Sequence, residues 1–143
     1  MAEEKYLKQY EKSATGNYLL RSRGTLENVI SVGAAKALVQ EESGSLVVPS
    51  GAARTITLPA IKAGLNFKFI AGSAHAHVIT GGASLISGFV YDNTNGTTLA
   101  RTAIAAKTTI TLVNPLVGDV LNFHCDGAKW LVEGVLNQTP TLA

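Results

Sequence analysis

Cysteine, tryptophan and charged side chains are scarce in this chain of 143 residues. The single cysteine, Cys125, excludes an intrachain disulfide, and a lone thiol is typical of a protein made in a reducing compartment. Charged residues make up 15% of the sequence, whereas about a quarter is usual for a small soluble domain. A surface so poor in charge is often covered by other subunits, so the composition predicts an assembly.

Long apolar runs and long runs of like charge are also missing. No stretch approaches the length of a membrane span, and the charged N-terminus MAEEKYLKQYEK argues against a secretory signal. The net charge of +2 comes from residues 1–24, because seven basic and seven acidic residues cancel from residue 25 onward. A nucleic-acid surface normally carries a basic stripe with aromatic residues. We therefore expect neither a membrane nor a nucleic acid as partner.

The chain does contain an internal repeat. TITLPAIKAGLNF, residues 55–67, returns as TITLVNPLVGDVLNF, residues 109–123. Polar and apolar residues alternate within TITL, so Ile56 and Leu58 are expected on one face of a strand. The glycine of each copy marks the connection into a second strand, so each copy predicts two strands joined by a turn. One face of that second strand should hold Leu65, Phe67 and Phe69 in the first copy, and Leu121, Phe123 and Cys125 in the second.

Ten short strands are predicted over residues 34–143, separated by Gly, Pro, Asn, Asp and Ser. They are AKALVQ, SLVVPS, RTITLPA, LNFKFIA, HAHVIT, SLISGFVY, TTLART, TTITLV, DVLNFHC and KWLVEGV. Asn95-Gly96 and Asp126-Gly127 are expected to form two-residue type I′ hairpin turns, in which both positions need positive φ. A spacing near ten residues predicts an all-β fold, a single antiparallel β-sandwich or barrel of jelly-roll-like form.

Residues 1–33 are predicted to form an N-terminal arm, partly extended. Tyr6 and Tyr10 lie at helical spacing within residues 3–12, so one short helix is expected there. The arm carries apolar side chains with no evident partner inside the domain, and we expect it to dock on another surface; the alternative is a disordered tail. The residues predicted to contact a capsid or a neighbouring subunit are Tyr6, Tyr10, Tyr18, Leu19 and Leu20.

His75, His77 and His124 are the best candidates for metal ligands. Residues i and i+2 of a strand project to one face, so His75 and His77 would be able to hold one ion. No carboxylate or thiolate follows at ligand spacing, so we expect no required metal and no cofactor, with a symmetry-axis site in an oligomer as the most credible exception. Histidines that charge near pH 6.5 are expected instead to weaken the assembly on acidification.

Catalytic groups are not evident in the sequence. Serines in the Gly-rich segments lack a G-x-S-x-G elbow, and no phosphate-binding loop is present. Asp92, Asp119 and Asp126 stand where turns are expected, and turns favour Asp for its hydrogen bonds to backbone. Trp130 is expected to anchor the core or a subunit interface rather than bind a sugar. We therefore do not expect an enzyme.

Two segments, GAARTITLPAIKAGLNFKFIAG and GDVLNFHCDGAKWLVEG, resemble a recurring module of tailed-phage and other virion structural proteins. The resemblance covers residues 51–135 and implies a small β domain, commonly trimeric, on the outside of a particle. The matching elements are Ile56–Pro59, Gly64, Phe67–Ile70, Gly118-Asp119, Asp126-Gly127, Trp130, Val132 and Gly134.

A short chain with an arm before a compact body favours, within this resemblance, a capsid decoration (cement) protein. The resemblance implies a homotrimer that binds the major capsid protein on the capsid exterior, after assembly in the host cytoplasm. The first alternative is a receptor-binding fibre or tail-spike head, with the loop of residues 91–98 recognising a host surface glycan. A depolymerase fragment and a host-encoded lectin-like module are further alternatives.

Overall fold

The computed structural model describes residues 10–12, 18–20, 28–93 and 98–143. Within these ranges the chain is almost entirely β, with one short 3-10 helix at Gln40–Glu42. None of the described residues belongs to a helix long and apolar enough to cross a membrane. The strands are β1 (Tyr10–Lys12), β2 (Tyr18–Leu20), β3 (Val29–Val32), β4 (Lys36–Ala37), β5 (Leu46–Pro49), β6 (Thr55–Thr57), β7 (Asn66–Ile70), β8 (Val78–Thr80), β9 (Ile86–Asp92), β10 (Ala100–Lys107), β11 (Thr109–Thr111), β12 (Val120–Cys125), β13 (Trp130–Leu136) and β14 (Thr141–Leu142).

Two sheets pack against each other as a β-sandwich, which confirms the predicted all-β class. The larger sheet has seven strands in the order β10-β9-β13-β12-β7-β5-β3. The smaller has five strands in the order β14-β11-β8-β6-β4. All ten strands predicted after residue 34 are present. Most are shorter than their predicted segments, β10 extends further, to Lys107, and β14 was not predicted. Strands β1 and β2 pair with each other outside both sheets, with Tyr10 opposite Leu20.

The sheets are mixed, whereas the sequence predicted antiparallel pairing. From β3 to β8 the chain alternates between the two sheets, so β3, β5 and β7 run parallel in one, and β4, β6 and β8 run parallel in the other. Antiparallel neighbours appear where the second repeat folds back, β11 on β8 and β12 on β7. A two-residue period shows which side of a strand is buried but not the direction of the neighbouring strand, and this accounts for the difference.

The repeat found in the sequence is also a repeat in space. Each copy supplies one strand to each sheet, first β6 and β7, then β11 and β12. The equivalent residues Phe67 and Phe123 lie opposite each other in the antiparallel pair of β7 and β12. In the other sheet the equivalent residues Ile56 and Ile110 both pair with Ile79, one from each side. The two copies are therefore related by an approximate local two-fold arrangement at the centre of the sandwich.

The glycine of each copy is required by the backbone. Gly64 has φ 92° and Gly118 has φ 103°, in the left-handed region. An L-residue held there costs roughly 1–2 kcal/mol, because its Cβ crowds the following carbonyl. Each glycine stands in the connection that carries the chain from the smaller sheet to the larger one. Both copies of the repeat therefore place a glycine at the same kind of crossing.

The hairpin between β12 and β13 differs in detail from the prediction. Cys125 pairs with Trp130, so four residues form the connection, and within it only Gly127 has a positive φ. The Asp126 carboxylate accepts hydrogen bonds from the backbone N–H groups of Ala128 and Lys129, both at 2.8 Å. These two bonds lower the pKa of Asp126 below its usual value. The type I′ prediction is wrong, because the side chain of Asp126 closes the turn without a second positive φ.

The other predicted hairpin joins β9 and β10, which do pair antiparallel with Asp92 opposite Ala100. Its proposed turn residues, Asn95-Gly96, lie outside the described residues.

The N-terminal segment differs from its prediction in two places. Tyr10–Lys12 is a strand and not the end of a helix, because its backbone pairs with Tyr18–Leu20; the earlier residues of the predicted helix lie outside the described ranges. Val29–Val32 pairs in parallel with Leu46–Pro49 and forms an edge of the larger sheet. The last residues of the segment predicted as an arm therefore belong to the β-sandwich.

Aromatic side chains occupy the core between the sheets. Trp130 is fully buried and its ring lies 6.0 Å from that of Phe67, centroid to centroid. Phe69 and Phe123 meet edge to face at 5.2 Å. Cys125 is a buried free thiol, as its position in the strand predicts. The prediction that Trp130 is a core residue is confirmed. Its indole N–H has no hydrogen-bond partner among the described residues, so its role here is apolar.

Replacing Trp130 with Ala should lower the free energy of unfolding by about 3–5 kcal/mol, because a large buried ring leaves a cavity. Chemical denaturation measures this. The matched control is Leu131→Ala, since Leu131 is the next residue on β13 and is 38% exposed. The control should cost much less; equal effects of the two substitutions would contradict a core role for Trp130.

Candidate functional site

The histidine loop before β8 is built around a buried ring. The Arg54 backbone N–H donates to Nδ1 of His77 at 3.2 Å, and Nε2 of His77 lies 3.2 Å from the Ser73 hydroxyl. Because Nδ1 accepts a hydrogen bond, the neutral ring carries its proton on Nε2 and donates it to Ser73. The Ser73 hydroxyl lies 3.1 Å from Nδ1 of His75, to which it can donate in turn. The loop is thus closed by a series of hydrogen bonds in which each group donates to the next.

Burial lowers the pKa of His77 below its ordinary value of 6.5. Hydrogen bonding with the Ser73 backbone opposes this lowering of the pKa, while nearby positive charge on His75 and Arg54 adds to it. The folded protein therefore holds His77 neutral at pH 7. His75 is exposed on the same loop, whereas His124 is exposed on β12 in the other sheet. The structure brings His75 and His77 together through Ser73 and leaves His124 apart, and no three metal-ligating side chains converge within the described ranges.

Acidification should destabilise the fold through His77. Its folded-state pKa is lowered, so the unfolded chain binds the proton first, and stability present above about pH 6.5 should be lost as the pH falls below it. Chemical denaturation at a series of pH values tests this. His77→Gln keeps an acceptor for the Arg54 N–H but does not titrate, so part of the pH dependence should disappear. An unchanged pH dependence in this variant would contradict the assignment.

The three aspartates singled out from the sequence have structural roles. Asp119 accepts two backbone N–H bonds beside the start of β12, and Asp126 closes its hairpin, as expected for turn residues. Asp92 instead ends β9 and is fully buried. Its carboxylate accepts hydrogen bonds from the hydroxyls of Thr102 at 2.6 Å and Thr139 at 2.9 Å. Asp92 therefore ties β9 to β10 and to the segment before β14, an arrangement invisible in the local sequence.

An aromatic patch lies on the outer face of the larger sheet, the face turned away from the core. We define this patch as Phe89, Tyr91, Arg101, Asn122 and Glu133. The rings of Phe89 and Tyr91 meet edge to face at 5.6 Å, and the Arg101 guanidinium carbon lies 4.4 Å from the Phe89 centroid. The strand registers place Glu133 beside Phe89, and Asn122 beside Glu133.

Two shallow depressions adjoin this patch. One, of about 240 Å³, is lined by Phe89, Tyr91, Asn122 and Glu133 together with valines of β12 and β13. The other, of about 320 Å³, includes Phe89, Glu133, His124 and Leu131. Phe89 and Glu133 line both, so the depressions are neighbours on one face. Of this patch the sequence singled out only Tyr91, as the first residue of the loop 91–98. The other side chains were missed because the patch is assembled from four strands, two of which, β9 and β13, pair in parallel across a long separation in the chain.

The three most exposed large apolar side chains of the described residues lie at one end of the sandwich. Val117 is 71% exposed and Leu116 is 56% exposed in the loop before β12. Leu99, just before β10, is 57% exposed. Strands β10 and β12 both start at this end of the sheet, because each runs antiparallel to one of the parallel pair β9 and β13. We call Leu99, Leu116 and Val117 the apolar loops.

The predicted contact residues of the arm are only partly described. Tyr6 lies outside the described residues. Tyr10, Tyr18, Leu19 and Leu20 belong to the hairpin of β1 and β2. Their role in contacts with a capsid or a neighbouring subunit stays a prediction.

No family model, curated protein or solved structure matches the chain.

Proposed function

We propose that this chain is a virion structural protein, a capsid decoration (cement) protein that binds the outer capsid shell and stabilises it. The observation that supports this best is the division between a charge-poor β-sandwich and a hairpin, β1 and β2, that pairs outside both of its sheets. A body and an arm provide two attachment points. Linking two weak contacts raises the overall affinity, because the second contact forms at a high effective concentration.

The exposed apolar loops suit attachment to a protein surface. Burying apolar area contributes roughly 25 cal/mol per Å², and Leu99, Leu116 and Val117 are each more than half exposed. None of these three loop residues is charged, so their burial would leave no unpaired ion. The partner in this proposal is the major capsid protein, on the capsid exterior, after assembly in the host cytoplasm.

Edge strands offer a second mode of contact. Among the described residues, β10 and β3 are the outer strands of the larger sheet, and neither has a neighbouring strand on its outer side. Such an edge accepts an added strand from another chain, with main-chain hydrogen bonds as the source of affinity. In a homotrimer each body would be able to receive such a strand from its neighbour around a closed three-fold axis.

The principal rival is a receptor-binding fibre or tail-spike head that recognises a host surface glycan. Tyr91 favours it, since this residue is 38% exposed at the start of the loop proposed for recognition. Asp92, the acid beside it, is fully buried and is not available to a ligand. The two functions are distinguished by the place of attachment, which is the capsid for a decoration protein and the tail for the rival.

Deleting residues 1–24 should leave the β-sandwich folded while weakening its attachment to capsids. The reason is that β3 to β14 and the core found among the described residues lie after residue 28. The measurement is co-sedimentation of the full and truncated chains with capsids that lack the protein, with circular dichroism as the control for folding. Equal capsid binding by the two chains, or loss of fold on truncation, would contradict the role of the arm.

The full chain should sediment as a trimer at micromolar concentration, because a neutral body with few charges is expected to bury surface in an assembly. Sedimentation equilibrium measures the mass directly. A monomer under these conditions would contradict the trimer.

A further inference from the structure

We propose that the aromatic patch on the outer face of the larger sheet is a saccharide-binding site that takes a pyranose ring. The proposal goes beyond shell attachment, since the patch involves neither the arm nor the apolar loops. A pyranose has two kinds of surface, an apolar face of C–H bonds and a rim of hydroxyl groups. The patch places an aromatic ring beside polar side chains, and these match the two surfaces of the sugar.

Tyr91 provides the stacking surface. The residue is 38% exposed, and its ring is supported from one side by Phe89, whose ring meets it at 81°. Aromatic rings on a wet surface contribute apolar contact area at little entropic cost, and the phenol hydroxyl adds a hydrogen-bonding group. Phe89 is itself covered in part by Arg101, so Tyr91 is the ring left open to a ligand.

Glu133 and Asn122 provide the polar rim. Glu133 is exposed, and neither of these two side chains makes a hydrogen bond or ion pair with the described part of the chain. A carboxylate accepts hydrogen bonds from two adjacent hydroxyls, and an amide both donates and accepts. The ligand class is therefore a pyranose with a continuous C–H face and a neighbouring pair of free hydroxyls.

A second copy of the chain fits this face less well. Closing a dry protein surface over it would bury the Glu133 carboxylate, and an unpaired buried charge is strongly unfavourable. Arg101 lies two strands away across the sheet from Glu133 and stacks on Phe89 instead of pairing with the carboxylate. A saccharide satisfies the carboxylate through hydroxyl groups and leaves it open to water.

The shape of the face suits the binding of more than one sugar unit. The two depressions of about 240 and 320 Å³ meet at Phe89 and Glu133. Each lies near or below the lower end of the usual range for ligand pockets, roughly 300–1,000 Å³. Shallow sites of this size bind a single ring weakly, and two adjoining depressions suit two consecutive rings of an oligosaccharide.

The test uses NMR spectroscopy of the isolated full chain labelled with nitrogen-15. The probes are the methyl glycosides of glucose, galactose, mannose and N-acetylglucosamine, each titrated to high millimolar concentration. At least one should shift amide resonances confined to β9, β12 and β13. Tyr91→Ala should abolish the shifts, Tyr91→Phe should retain them, and Glu133→Gln should weaken binding about tenfold, the equivalent of 1.4 kcal/mol. Thr55→Ala, an exposed change on the smaller sheet, is the matched control and should bind as the wild type does.

Three results would overturn the proposal. They are the absence of shifts with all four glycosides, shifts that map elsewhere, and shifts unchanged by Tyr91→Ala in a folded variant. If Tyr91→Ala alters the sedimentation of the protein and no glycoside binds, the face is a contact between copies. Because no capsid is present in this experiment, its outcome is independent of whether the chain decorates a shell.

Discussion

The pairing of β7 with β12 is the contact on which the rest of the sandwich depends. It joins the two copies of the repeat at Phe67 and Phe123, and it aligns the aromatic side chains that fill the space between the sheets. Trp130 packs against Phe67 from the next strand, so burial of these rings fixes both the register and the separation of the sheets. A slip of one residue would turn these rings to solvent, and the cost of exposing them makes the register specific.

That constraint also determines what the outer face displays. Because successive side chains alternate, holding Val90, Val132 and Phe123 inward places their neighbours outward. The parallel pairing of β9 with β13 then brings Phe89 beside Glu133, although the two residues are far apart in the chain. The aromatic patch is thus a consequence of core packing, and the core can remain unchanged while the residues displayed on it vary.

Polar groups inside the molecule serve the architecture. Asp92 receives hydroxyls from Thr102 and Thr139, and His77 joins the loop before β8 to the backbone at Arg54. Burying a polar group without a hydrogen bond costs free energy, so each of these contacts offsets that cost and fixes a connection that apolar packing alone would leave loose. Proton uptake by His77 would break its bond to Arg54, and the connection is therefore sensitive to pH. These contacts stabilise the scaffold that displays the outer surfaces.

The sequence by itself determined ten of the strands after residue 34, their buried faces and the glycines at the crossings. It did so because alternation and positive φ are local properties, carried by residues such as Ile56, Phe67 and Gly64. Tertiary structure alone decided the strand directions, the partners of Asp92 and the aromatic patch. Each depends on which distant strands become neighbours. That choice follows from the total apolar area buried in the core, which no short segment determines.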